Sequence, residues 1–149
     1  MEDSRKIGND VRRLHNTIGI YCDQKRLSRH DDTPPMQGRT LGFLCFHTER
    51  EVYQKDIEQE FHISRATATK MLQSMEKKGM IVRETVGHDA RLKRIRITES
   101  GRACHNIIKN DFKSLEAIMT RGMTEQEADQ LAAHLQLALH NLEEELKKN

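Results

Sequence analysis

From Ile7 the apolar positions fall at Ile7, Val11, Leu14, Ile18 and Tyr21, in steps of four and three, before the chain reaches His30-Asp31-Asp32-Thr33 and two prolines. Steps of that size put all five on one side of an α-helix, as a stripe about as wide as one partner helix covers. Pro34 and Pro35 are expected to end any helix and hold the chain extended. A second helix is expected from about Gln37, carrying Leu41, Leu44 and Cys45. A short helix from about Gln54 to Glu60 then buries Ile57 and, beyond it, Phe61; His62 and Ile63 make a turn. Ser64 fits the N-cap of the next helix, because its hydroxyl can accept a first-turn backbone N–H. That helix sets Ala68, Leu72 and Met75 on one face. Lys77 and Lys78 fall in its last turn, where cations suit the helix dipole, and Gly79 fits the left-handed position just past it. Two short helices joined by a tight turn make a helix-turn-helix.

The period then changes to two. Ile81 to Val86 and Leu92 to Ile97 read as strands, with Gly87 to Arg91 as the hairpin link, so a wing follows the helix pair. Thr98 caps a long helix to about Thr120, with Gly122 as its terminator. Thr124-Glu125-Gln126-Glu127 is a capping box opening a last helix that carries Leu131, Leu135, Ala138, Leu142 and Leu146. The expected fold is mainly α with a small β wing. A winged helix-turn-helix lobe spans 34–98, and 1–33 and 99–149 form a helical dimerisation region, all within a single domain of 149 residues. The first and last stripes would leave a lone chain of this size with long exposed apolar strips, which monomers rarely tolerate, so a second copy is expected to cover them.

Composition narrows the function by exclusion. The chain has no run of about 18 apolar residues and so no expected transmembrane helix. Its first residues lack the apolar core of a signal peptide, so the cytoplasm is the expected compartment and no membrane is an expected partner. Cys22, Cys45 and Cys104 are odd in number and fit no metal or redox spacing. The histidines are scattered, and none of the common nucleophile, zinc-protease, P-loop or dinucleotide motifs is present. Neither catalysis, a cofactor nor a metal is expected. Net charge is only +2, but its distribution is uneven: +6 over residues 61–96 and −4 over residues 111–149. A basic central segment is the footprint of a module that binds a polyanion.

The candidate residues lie in that segment. With its buried face removed, the second helix of the pair presents Ser64, Arg65, Thr67, Thr69, Lys70, Gln73 and Ser74, with no acid before Glu76. Such side chains match the donors, acceptors and methyl groups of the DNA major groove and the charge of its phosphates. A polar helix face alone is most simply a solvated one; the cationic hairpin directly after it turns the reading toward DNA. There, Arg91 near the tip is placed to enter a minor groove, where narrow A·T-rich stretches concentrate negative potential. Arg94 and Arg96 share one strand face and either contact phosphate or brace the hairpin. Asp89 is a turn-former, or holds Arg91 by a charge-assisted hydrogen bond.

Gln54 to Gly101 resembles the winged helix of the MarR (multiple antibiotic resistance regulator) transcription factors. The matching features are Q-K-D-I, the I-S-R-A-T turn, the E-K-K-G-M-I-x-R exit, the D-x-R wing and I-T-E-S-G. The resemblance implies a homodimeric regulator with interleaved first, fifth and sixth helices and two lobes reading a pseudo-palindromic operator in double-stranded DNA. Asp89 and Arg91 match the family's wing pair. It further implies a repressor released by a small ligand bound between the dimer helices and the DNA lobe, which makes Tyr21, Phe43 and His47 the candidate effector pocket. Two variants remain open: a redox switch at Cys22, and a metal sensor using His15, His30 or His105. A rival of another class is a winged-helix module for protein assembly, which would carry an apolar or mixed-charge hairpin.

Overall fold

The structure, a computed structural model, describes residues 6–148; residues 1–5 and 149, assigned above to the helical region, lie outside the described residues. It contains six helices and three strands among them. The first helix, α1 (Ile7–Ser28), carries the predicted stripe but buries none of it; Ile18 and Tyr21 are half-buried and the rest are exposed. After the polar run, α2 (Pro35–Phe46) begins two residues earlier than expected. Pro35 opens the helix rather than preceding it, since a first-turn residue needs no N–H partner and proline already holds a helical φ.

A two-residue strand, β1 (Val52–Tyr53), follows and was not foreseen. The helix-turn-helix is α3 (Gln54–Phe61) and α4 (Arg65–Lys77). Asp56 starts α3 by accepting the Tyr53 N–H at 2.8 Å. Between the helices, His62 takes a left-handed φ of 51°, and its own and the following N–H both reach the Glu58 carbonyl. Ser64 caps α4 as expected, its Oγ accepting the Thr67 N–H at 3.1 Å. Gly79, at φ 75°, ends the segment in the conformation glycine adopts without strain.

The wing strands are β2 (Ile81–Val86) and β3 (Asp89–Ile97), and the sheet order is β1-β3-β2, antiparallel throughout. The expected five-residue hairpin link is corrected: β3 begins at Asp89, so the turn is Gly87-His88. Pairing runs regularly from Ile81↔Ile97 to Thr85↔Lys93 and then jumps to Val86↔Asp89, which leaves residues 90–92 outside the register.

One apolar core ties these pieces together. Leu41 and Leu44 of α2, Val52 of β1, Ile57 of α3, Leu72 and Met75 of α4, Ile81 of β2 and Ile95 of β3 form a single cluster. Each such side chain, fully buried, contributes about 1.5–3 kcal/mol. This core fixes α4 and the wing relative to each other. The next helix, α5 (Glu99–Met119), is seated on the lobe by Thr98. The Thr98 Oγ1 accepts the Gly101 N–H at 3.1 Å and donates to the Gly79 carbonyl at 2.5 Å, while its N–H reaches the Met80 carbonyl at 3.0 Å.

By its contacts the chain divides into one unit ending at Asp111 and another beginning at Phe112. In the second, Gly122 (φ 87°) turns the chain, and Thr124 with Glu127 forms the predicted capping box of α6 (Glu125–Leu146). No residue of α6 is buried. No helix among the described residues is long and apolar enough to cross a membrane.

Candidate nucleic-acid interface

The predicted residues of α4 divide in two. Arg65, Thr67, Lys70 and Gln73 are exposed, and neither Arg65 nor Lys70 makes a salt bridge among the described residues. Ser64, Thr69 and Ser74 are spoken for within the fold. Ser64 holds the cap and also donates to the Thr67 hydroxyl at 2.9 Å. Thr69 Oγ1 accepts from Gln54 Nε2 at 2.9 Å, and the same amide reaches the Arg65 carbonyl at 3.3 Å. Ser74 Oγ accepts from Gln37 Nε2 at 3.2 Å. Gln54 and Gln37 are thus parts of the site that sequence reasoning missed. Gln54 was visible as the start of a helix, but a side chain that crosses to a second helix leaves no periodic signal.

The wing arginines divide in the same way. Arg94 and Glu84 are register partners on β3 and β2, and Arg96 lies on the same face two residues along. Arg94 bonds Glu84 and Glu51, both at 2.8 Å, and Arg96 bonds Glu84 at 2.6 Å. Hydrogen bonds from Arg94 and Arg96 hold the Glu84 carboxyl below its usual range. The Tyr53 hydroxyl, and after it Arg94, does the same for Glu51. Of the two roles expected for Arg94 and Arg96, these bonds are those of braces. A further brace, not anticipated, ties β2 to α4: Arg83 Nη2 donates to Glu76 Oε2 at 2.7 Å.

Arg91 is different. It lies among the residues outside the register, is exposed, and makes no salt bridge among the described residues. Asp89 Oδ1 accepts the Arg91 backbone N–H at 2.9 Å, so the carboxylate shapes the chain at Arg91 and leaves the guanidinium outside that bond. The outcome is a cationic wing tip and a helix with a cationic, hydrogen-bonding outer face, whose elements share one apolar core.

Residues 31–92, most of this lobe, match the sequence profile of the MarR family. Over that span the chain is similar to the MarR family. Three similar proteins accompany that match. The uncharacterized HTH-type transcriptional regulator YdgJ of Bacillus subtilis is 34% identical over 59 residues, which are 40% of this chain. The match spans only 35% of that relative's own length. The crystal structure of the S. aureus MepR–DNA complex superposes with a TM-score of 0.78 at 26% identity, covering 93% of this chain and 99% of that one. The heme sensor protein PefR of Streptococcus agalactiae, in complex with heme, shares the fold at TM-score 0.65 and 24% identity, over 95% of each chain. These likenesses give the chain a winged-helix fold of the kind found in the MepR–DNA complex.

The residues proposed for an effector are partly brought together. Phe43 and His47 stack on α2 with ring centroids 4.1 Å apart, and Phe61 meets Phe43 edge-on at 6.1 Å. Tyr21 lies on α1, its ring under Lys25 Nζ at 5.6 Å. Burial first, then Asp111 and Asp23, push the Cys22 thiol up, which disfavours the reactive thiolate.

Proposed function

We propose that this protein is a regulator of the MarR kind: homodimeric, binding DNA sequence-specifically and acting in the cytoplasm. In this reading it represses by occupying a pseudo-palindromic operator in double-stranded DNA. The observation that carries the reading is the pairing of two cationic surfaces on one core: the outer face of α4, with Arg65, Thr67, Lys70 and Gln73, and the wing tip at Arg91. The helix enters the major groove and Arg91 the adjoining minor groove, as their side-chain chemistry requires. The likeness to MepR bound to DNA supports the same reading. The exposed apolar faces of α1 and α6 supply the dimer surface. Release by a small ligand, with Phe43 and His47 beside the site and Tyr21 as a further candidate, rests on the family resemblance. Glu84 between Arg94 and Arg96 makes the wing strands mixed in charge, as the assembly reading expects, so it is the exposed Arg91 at the tip, without a salt bridge among the described residues, that favours DNA.

The test is fluorescence anisotropy on a duplex that the protein itself selects from a random pool, against a scrambled duplex, across a salt series. Preference for the selected duplex by about 10³-fold or more, with affinity falling steeply as salt rises, is the expected result. Equal weak binding to both duplexes would remove sequence-specific regulation. An absence of binding at low salt would favour the assembly module.

A further inference from the structure

One buried polar side chain connects α4 to the region where α1 gives way to α2. Gln37, in the first turn of α2, is only 5% exposed. Its Nε2 donates to Ser74 Oγ on α4 at 3.2 Å, and its Oε1 accepts from Lys78 Nζ, just past the end of α4, also at 3.2 Å. The ammonium fixes which way the amide points, since a flipped amide would set NH₂ against NH₃⁺. Lys78 Nζ also lies 3.7 Å from Asp32 Oδ1 in the segment between α1 and α2. That segment is itself anchored: Arg26 of α1 donates to the Thr33 carbonyl at 2.7 Å, and Asp31 accepts the Thr33 N–H at 2.8 Å. Polar contacts therefore lead from α1, through residues 31–33 and α2, to the second half of α4.

We propose that Gln37 is a positioning residue for DNA recognition, setting the attitude of α4 against α1 and α2 without touching DNA. The proposal rests on the DNA-binding reading above. A buried amide is costly unless paired, so an apolar side chain of equal volume would serve packing as well or better. Apolar packing alone tolerates small slides and rotations of a helix. Two directional bonds to points four residues apart, Ser74 and Lys78, hold both its rotation and its height. Ser74 then acts from inside the protein, as the acceptor that Gln37 grips, and not as a reader of bases.

The experiment uses the full-length protein with Gln37→Met, Gln37→Glu, Ser74→Ala and the Gln37→Met/Ser74→Ala pair. Methionine keeps the volume and removes both bonds; glutamate keeps the acceptor for Lys78 and can take a bond from the Ser74 hydroxyl. Anisotropy is read on the selected duplex and on scrambled duplex. Gln37→Met is expected to weaken binding to the selected duplex about five- to tenfold, with scrambled-duplex binding unchanged and Gln37→Glu within about twofold of the parent. The double variant should be no weaker than Gln37→Met, because both changes break one link. Additive losses from Gln37→Met and Ser74→Ala, or equal losses on both duplexes, would overturn the proposal. Amide exchange without DNA separates the two claims. Faster exchange over residues 71–79 in Gln37→Met, with α3 unchanged, is expected even if the parent selects no duplex, an outcome that would sink the DNA reading alone. Unchanged exchange over those residues would overturn the positioning role.

Discussion

Arg91, Arg94 and Arg96 stand within six residues of one strand and do different things, because of what faces each of them. Glu84 and Glu51 neutralise Arg94, and Glu84 also takes Arg96, so these two stiffen the wing. Exposed ion pairs of this kind are individually weak, and their value here lies in acting as a network. Among the described residues Arg91 makes no salt bridge with an acid, and it is exposed. Arg91→Ala should therefore weaken binding to the selected duplex by about 1–3 kcal/mol while leaving thermal stability and the dimer unchanged. Unchanged affinity in anisotropy would remove its groove-reading role. At this scale the sequence was legible where a residue acts alone. The Ser64 cap, the Asp89 turn and the exposed Arg65, Lys70 and Gln73 were all readable from type and spacing. Thr69 and Ser74 were counted among the outward residues, yet their hydroxyls bond Gln54 and Gln37 on other helices. Such partners are brought together only by the tertiary fold, and no spacing rule encodes them.

Among the elements, the junction between α4, β2 and α5 depends most on a single residue. A Cβ on Gly101 would stand 2.2 Å from the Met80 carbonyl oxygen and 2.8 Å from Ile97 Cγ1. The first turn of α5 can sit under the α4–β2 turn only with hydrogen at that position. Gly101→Ala should cost about 1–3 kcal/mol, seen as a lower urea midpoint with the slope unchanged, because a backbone carbonyl cannot rotate away as a side chain can. A midpoint equal to the parent's would mean that α5 is not seated there. Element existence was legible from periodicity and caps: all six helices and both wing strands stand close to their predicted positions. The exceptions are local. Two residues of β1 are too few to show alternation, Pro35 fits a helix start as well as a stop, and the slip at Thr85/Val86 depends on pairing between strands.

For the molecule as a whole, the apolar surface left uncovered is the main fact. The helix α1 exposes Ile7, Val11, Leu14, Ile20 and Leu27; separately, α6 exposes Leu131, Leu135, Leu137, Leu139, Leu142 and Leu146. Neither helix buries a single residue within the chain. Monomers rarely tolerate exposed apolar faces of this length, and the proposed dimer covers them with a second copy related by two-fold symmetry. In the proposed dimer, two-fold symmetry would present two α4 helices to successive major grooves, about 34 Å apart, which is why the proposed operator is palindromic. The most direct test is the mass of the protein–DNA complex by sedimentation, on the selected duplex and on one carrying a single half-site. Two chains per duplex, with the half-site bound far more weakly than the full site, is the predicted result. A single chain that stays folded and binds the half-site as tightly as the full site would contradict the account.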